Sequence, residues 1–250
     1  LKGLRDMERL ATQLSFNRSG GRDLVAIGLA LERMPRLKAI CSEVDDLLLN
    51  KLSNDLDVLE TMRIDIQANL NDEQPLSMRD GGIIREGIDK KLDDLRDAAA
   101  VGHKWFKDLE IRERARLEIP SLKVRHNRQI GWYIEVTKTH LGKVPEDWNR
   151  RQQMTNGNRY VTDELVEWED KLVTAATKAN TIECNMFRDL RDRCREKSRT
   201  LGMISSCVAQ IDTLQCFAEI ARNRSWTRPV IHDDSRLIAK GLRHPVLEVQ

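Results

Sequence analysis

Thr162-Asp163-Glu164-Leu165-Val166-Glu167-Trp168-Glu169-Asp170-Lys171-Leu172-Val173-Thr174-Ala175 decides the class of this fold. Leu165, Trp168, Leu172 and Ala175 recur at alternating spacings of three and four, and Ala179, Ile182 and Met186 continue the series. That spacing lays an apolar seam along one side of a helix, with charged or small residues filling most positions between. Thr162 offers a hydroxyl cap, and Asp163 and Glu164 put carboxylates on the positive end of the helix dipole. A helix running from there to about Thr200, before Gly202, would span roughly 57 Å at about 1.5 Å per residue.

Upstream, Leu92, Leu95, Ala99, Gly102, Phe106 and Leu109 show the same alternation. This second helix follows Asp80-Gly81-Gly82, starts near Asp89 and reaches about Arg116, with Pro120 as its stop. Two such helices flanking a shared insertion predict an antiparallel pair. The insertion changes period from helix to strand. Leu122-Lys123-Val124-Arg125 alternates apolar with basic, and Gly131-Trp132-Tyr133-Ile134-Glu135-Val136 is rich in strand-favouring types. Asn156-Gly157 separates Trp148–Thr155 from Asn158–Thr162 and predicts a type I′ hairpin turn with two positive φ angles. The expectation is a small antiparallel module of about four strands, with Trp132 and Tyr133 serving as its core.

The predicted class is therefore mainly α: long antiparallel helices, a helical core, and a small β module inserted at their tip. In numbers, residues 1–88 form the helical core, 89–116 the outgoing helix, 117–161 the β module, 162–202 the returning helix and 203–224 a connecting helix. Within the core, helices are expected near residues 5–14, 22–33, 35–42 and 47–68. Residues 225–250 turn strand-like at Val230-Ile231 and Leu237-Ile238-Ala239. The start at Leu1 rather than Met suggests a piece of something longer.

Charged residues make up 33% of the chain, against roughly 25% in a typical soluble domain, and only 4% are aromatic. No stretch approaches the roughly 18 consecutive apolar residues of a membrane span, and no leader-like segment opens the chain. The five cysteines, Cys41, Cys184, Cys194, Cys207 and Cys216, fit no zinc or disulfide framework, and free thiols are expected. No HExxH, GxSxG, GxGxxG or GxxxxGK[ST] is present, so no catalytic apparatus is expected in these residues.

The net charge of +2 is unevenly spread. Between Ile119 and Tyr160 eight bases face three acids, a net of +5, which leaves −3 for everything else. The same stretch holds both tyrosines and two of the five tryptophans. Cations on strands and turns suit a polyanion: each can neutralise a phosphate and release counterions without reading sequence. Charge and periodicity alone do not separate DNA from RNA, tubulin or an acidic protein.

Ser121-Leu122-Lys123-Val124, Asn127 and Gly131-Trp132-Tyr133-Ile134-Glu135-Val136-Thr137-Lys138 closely resemble the clamp segment of the MutS family of DNA mismatch repair proteins. So do Val144-Pro145, Arg150-Arg151-Gln152 and Asn156-Gly157-Asn158-Arg159-Tyr160-Val161-Thr162-Asp163-Glu164-Leu165. Gly81-Gly82-Ile83-Ile84-Arg85-Glu86-Gly87-Ile88-Asp89, with Leu92-Asp93-Asp94-Leu95-Arg96, is similar to that family's approach to its outgoing lever helix. Asp6-Met7-Glu8-Arg9-Leu10 and Arg22-Asp23-Leu24 fit its core region. Arg228-Pro229 and Arg243-His244-Pro245 resemble the approach to its ATPase domain.

The resemblance implies a DNA-gripping clamp joined by lever helices to a distant nucleotide-binding domain. It implies grip on double-stranded DNA through Lys123, Arg125, Asn127, Arg128, Arg150, Arg151, Asn156 and Arg159. No cofactor is expected in this segment; ATP and Mg belong to the whole protein. A dimer, a MutL-type repair partner, and a cytoplasmic (prokaryotic) or nuclear (eukaryotic) setting are implied too. The chain departs from the family's pattern at Thr155, usually Lys, at Asn158, often an acid, at Gln153, usually Thr, and at Arg125-His126, more usually Gly-Tyr. Gly241-Leu242-Arg243-His244 is one residue longer than the commoner form. A cation lost at 155 and gained at 125 implies redistributed phosphate contacts. Both polar turns, His126–Gln129 and Asn156-Gly157, stand as candidates for the DNA-facing one. A coiled-coil arm of a protein-interaction hub is the alternative, and a salt titration of duplex binding separates the two.

Overall fold

The computed structural model describes residues 3–127, 129–244 and 246. It is mainly α with one small sheet, in two compact units, Leu1–Cys207 and Val208–Gln250.

The first unit begins with short helices α1 (Met7–Ser15), α2 (Gly21–Leu31), α3 (Met34–Ser42), α4 (Leu47–Asp55) and α5 (Glu60–Asn69). Leu10, Leu14, Leu24, Ile27, Leu31 and Met34 are almost fully buried among them. The single helix expected over 47–68 is two. Leu56 turns extended at the end of α4, the Asp57 carboxylate accepts the Leu59 amide at 2.9 Å, and Leu59 takes a left-handed conformation. An aspartate that closes its own local turn competes with the helix ladder, and here it wins.

Helices α6 (Lys90–Leu117) and α7 (Asp163–Arg195) are the long pair, about 42 and 50 Å at the usual rise. Asp89 caps α6 by accepting the Leu92 amide, and Thr162 caps α7 by accepting that of Leu165. Both starts fall where the sequence places them. The helices run antiparallel: Arg112 pairs with Glu164, Trp105 stacks on Trp168, Gly102 abuts Leu172 and Arg96 pairs with Glu183. Partners thus descend along α7 as they climb along α6. The seam of α7 departs from expectation beyond Ala179: Glu183, Phe187, Leu190 and Cys194 are buried, whereas Ile182 and Met186 are half-buried. Two successive steps of four rotate the buried stripe toward the helical core.

The returning helix also stops before Thr200. The Lys197 amide bonds back to Cys194 at 3.0 Å in a tighter turn, and α8 (Ser198–Asn223) starts directly after it. Gly202 lies inside α8 with nothing within 4 Å of an added Cβ.

Between α6 and α7 lie β1 (Lys123–Asn127), β2 (Gly131–Thr137), β3 (Asn149–Met154) and β4 (Gly157–Val161), antiparallel and ordered β1-β2-β4-β3. Ile134 and Val136 are fully buried and Tyr133 nearly so, with Leu122, Ile119 and Leu165 completing the core. Each such side chain contributes about 1.5–3 kcal/mol on burial. The β3–β4 hairpin differs from expectation. Its loop residues are Thr155 and Asn156, neither with positive φ, and Gly157 already pairs with Met154. Glycine is required at 157 for another reason: an added Cβ would lie 2.3 Å from the Val136 carbonyl oxygen.

The second unit holds the rest of α8, from Val208, and an irregular stretch after it. The strands expected at Val230-Ile231 and Leu237-Ile238-Ala239 are not formed among the described residues. Val230, Ile231 and Leu237 are exposed, and an extended segment without a ladder partner has no backbone bonds to hold it. Arg243 instead donates to the carbonyls of Arg224 and Ser225.

Candidate nucleic-acid interface

The sheet register sorts the candidate cations. Lys123 stands opposite Glu135, Glu135 opposite Arg159, and Arg159 opposite Gln152, so one cross-strand row lies on a single face. Arg125, opposite Tyr133, shares that face. Arg159 is engaged within it: its guanidinium lies 4.4 Å from the Tyr133 ring centroid, donates to Gln152 Oε1 at 2.7 Å, and approaches Glu135 at 3.8 Å. Only 16% of that side chain is exposed. Lys123 and Arg125 are exposed and, among the described residues, form no ion pair.

Arg150 and Arg151 sit on β3, one of the two edge strands, where the register shifts between Arg150 and Gln152. The extra residue bends the strand and turns consecutive arginines outward. Both are exposed and form no ion pair among the described residues. They do not share the Lys123 row: Arg150 pairs opposite Tyr160, on the other face. The cations therefore line one face and one edge of the sheet. Arg128 lies outside the described residues.

The two polar turns lie at opposite ends of the sheet. Thr137 at the end of β2 meets Gly157 at the start of β4, so the Thr155-Asn156 turn is at that end, where Lys138 donates its amide to the Asn156 carbonyl. Lys138 and Asn156 are exposed there. The other turn, after Asn127, lies beside the long helices: the Trp132 amide donates to Glu169 Oε1 of α7 at 3.2 Å. The Asn127 side-chain Oδ1 accepts the Gln129 amide at 2.8 Å, an Asx-type contact.

The helices hold the sheet through acids that the charge census passes over. Glu110 of α6 accepts the Val124 amide at 2.7 Å and pairs with Arg114, which donates to the Leu122 carbonyl at 2.6 Å. Buried Glu113 is flanked by Arg112 and Arg116. The hydrogen bond to Glu164 pushes the Arg112 pKa up, keeping it firmly cationic at the helix junction. At the other end of the pair, Glu183 is 2% exposed and accepts the amides of Gly82, Ile83 and Ile84 as well as Arg96. Its one sequence signal is an acid interrupting the apolar series between Ala179 and Phe187. No group of side chains suited to hold a metal ion occurs among the described residues.

Residues 87–178, which include α6, the sheet and the first half of α7, match the family model for MutS family domain IV. The DNA mismatch repair protein MutS of Rhodopirellula baltica is 38% identical over 244 residues, 98% of this chain and 27% of that protein. MutS of Salinibacter ruber is 38% identical over 248 residues, 99% of the chain and 27% of the relative. The chain belongs to the MutS family. MutS of Pelotomaculum thermopropionicum, 38% identical over 249 residues, aligns to 99% of the chain and 29% of its own length. The chain thus spans between a quarter and a third of the length of these MutS relatives. Their likeness extends on both sides of domain IV, into the short helices and into α8. No helix among the described residues is long and apolar enough to cross a membrane.

Proposed function

We propose that this chain is the non-catalytic lever and clamp segment of a MutS-type mismatch repair ATPase, gripping duplex DNA by sequence-independent phosphate contacts. The observation that carries the reading is a set of exposed cations, Lys123, Arg125, Arg150 and Arg151 on a small sheet and Lys138 directly after β2, carried by two long antiparallel helices. Asn156 at the far turn adds an amide donor, Asn127 ends β1 near the long helices, and Arg128, which lies outside the described residues, is proposed as a further phosphate contact. Arg159 serves this grip from within, by holding Tyr133 and Gln152 in place. The near-rigid helices would carry nucleotide-driven motion between the ATPase domain of the whole protein and the sheet. ATP and Mg, a dimer, a MutL-type partner and a cytoplasmic setting in a prokaryote (nuclear in a eukaryote) complete the proposal for the whole protein.

A salt titration of duplex binding tests it. Four to five phosphates held give a log–log slope of about −4, and affinity falls by about two to three decades between 50 and 200 mM salt. Matched and mismatched duplexes should behave alike, since the contacts are to the backbone. No measurable affinity at low salt would favour the arm of a protein-interaction hub instead.

A further inference from the structure

We infer that Trp132 fastens the sheet to both long helices at once, and that Glu169, which holds its amide, is a positioning residue for the DNA grip proposed above, on which this inference rests. The Trp132 indole lies parallel to the Phe106 ring of α6 with centroids 3.9 Å apart, while its backbone amide donates to Glu169 of α7. It is therefore tied to one helix by its side chain and to the other by its main chain.

The amide bond follows from topology. Ile134 pairs with Tyr160, so the residue of β4 that would face Trp132 is Thr162, where the strand has ended and the cap of α7 begins. The Trp132 N–H has no strand partner, and Glu169 supplies the acceptor that Thr162 cannot. Gly131 leaves room for it: a Cβ there would stand 2.3 Å from Glu169 Oε1. On the open edge of β1, Glu110 does the same for Val124 from α6. Each helix thus caps one otherwise unpaired strand amide with a carboxylate.

Strand β2 is inside the sheet and bonded to both β1 and β4, so the attitude of Trp132 sets the attitude of all four strands. Packed layers shift between discrete arrangements rather than deforming smoothly. Sliding of α6 along α7 would pull the indole and the amide of Trp132 in opposite directions, and the sheet would turn with them. The cations on the outer strand and far turn would then meet a different set of phosphates.

Glu169→Ala and Glu169→Gln in the full chain test this, because both remove one negative charge but only glutamine keeps an oxygen for the Trp132 amide. Duplex affinity at 50 mM salt should be about three- to tenfold weaker in Glu169→Ala than in Glu169→Gln, with a salt slope shallower by about one unit, one phosphate fewer. Exchange of the Trp132 amide with solvent should quicken in Glu169→Ala alone, measured well below the thermal midpoint of both variants. Equal affinities, slopes and exchange in the two variants, with the parent chain binding duplex normally, would overturn the positioning role and leave the DNA reading intact. A parent chain that binds no duplex at low salt would overturn both.

Discussion

Glu183 of α7 and Arg96 of α6 form an ion pair in which the carboxylate is 2% exposed and the guanidinium 26%. The same carboxylate accepts three consecutive amides from Gly82 to Ile84, and the glycines at 81 and 82 adopt positive φ to aim that run inward. A buried carboxylate is tolerable because both oxygens accept hydrogen bonds, Oε1 from Arg96, Ile83 and Ile84 and Oε2 from Gly82. Glu183→Ala removes the acceptor and leaves three amides and Arg96 without it. A loss of about 3–5 kcal/mol follows, read by denaturant unfolding. Glu183→Gln keeps one acceptor oxygen and should cost about 1–3 kcal/mol.

Gly102 of α6 abuts Leu172 of α7, whose Cδ1 and Cβ lie 3.1 and 3.4 Å from an added Cβ. An alanine at 102 gains about 0.5–1 kcal/mol of helix propensity and spends a similar amount moving Leu172. Gly102→Ala should therefore be close to neutral. Gly102→Leu cannot be accommodated without parting the helices, and a destabilisation of about 1–3 kcal/mol is expected in thermal unfolding.

Gly157 faces backbone rather than a flexible side chain. A methyl group there would contact the Val136 carbonyl oxygen at 2.3 Å and the Thr137 Cα at 3.0 Å. Gly157→Ala must push β4 away from β2, at a cost of about 2 kcal/mol or more. Amide exchange should quicken at the β2–β4 ladder first and at α1 to α5 last.

These positions show how far the sequence could be read. Heptad spacing found both long helices, and Thr162 and Asp89 marked their starts, because caps and apolar seams are local signals. The alternation at Leu122–Arg125 and the run Trp132–Val136 found the strands for the same reason. Sheet order was not legible, since only the pairing Ile134 to Tyr160 reveals that the two polar turns are at opposite ends. Asn156-Gly157 pointed to the right hairpin with the wrong geometry, the glycine being kept for contact with β2 rather than for positive φ. Counting charge found the basic module, yet it could not separate Arg159, committed to Tyr133 and Gln152, from the exposed pair Arg150 and Arg151. Nor could it see Glu110, Glu169 and Glu183, whose partners are main-chain amides between 14 and 101 residues away.

Cys194 is 2% exposed, and burial pushes its thiol pKa up to about 12 from an ordinary value near 9. Burial also raises Cys41 and Cys207. A thiol that ionises less readily when folded contributes stability below pH 9 that is lost as pH climbs toward 12. The unfolded chain then releases a proton that the folded one retains. Unfolding free energy should fall above pH 9 at up to about 1.4 kcal/mol per pH unit for each such thiol. At pH 8 a thiol-specific reagent should modify exposed Cys216 first and Cys194 only upon unfolding.

Two arginine changes separate grip from support. Arg150 and Arg151 are exposed at the edge-strand bulge, whereas Arg159 is packed over Tyr133. Replacing Arg150 and Arg151 together with glutamate should weaken binding to matched and mismatched duplexes equally. The log–log salt slope should become shallower by about two units, with the unfolding midpoint nearly unchanged. Arg159→Met should do the reverse. It removes the hydrogen bond to Gln152, the contact with Tyr133 and the cation 3.8 Å from Glu135, and lowers stability by about 1–2 kcal/mol. Its salt slope should stay at the parent value, because no phosphate contact is lost. A full-unit change in slope for Arg159→Met, with stability intact, would place Arg159 among the gripping residues after all.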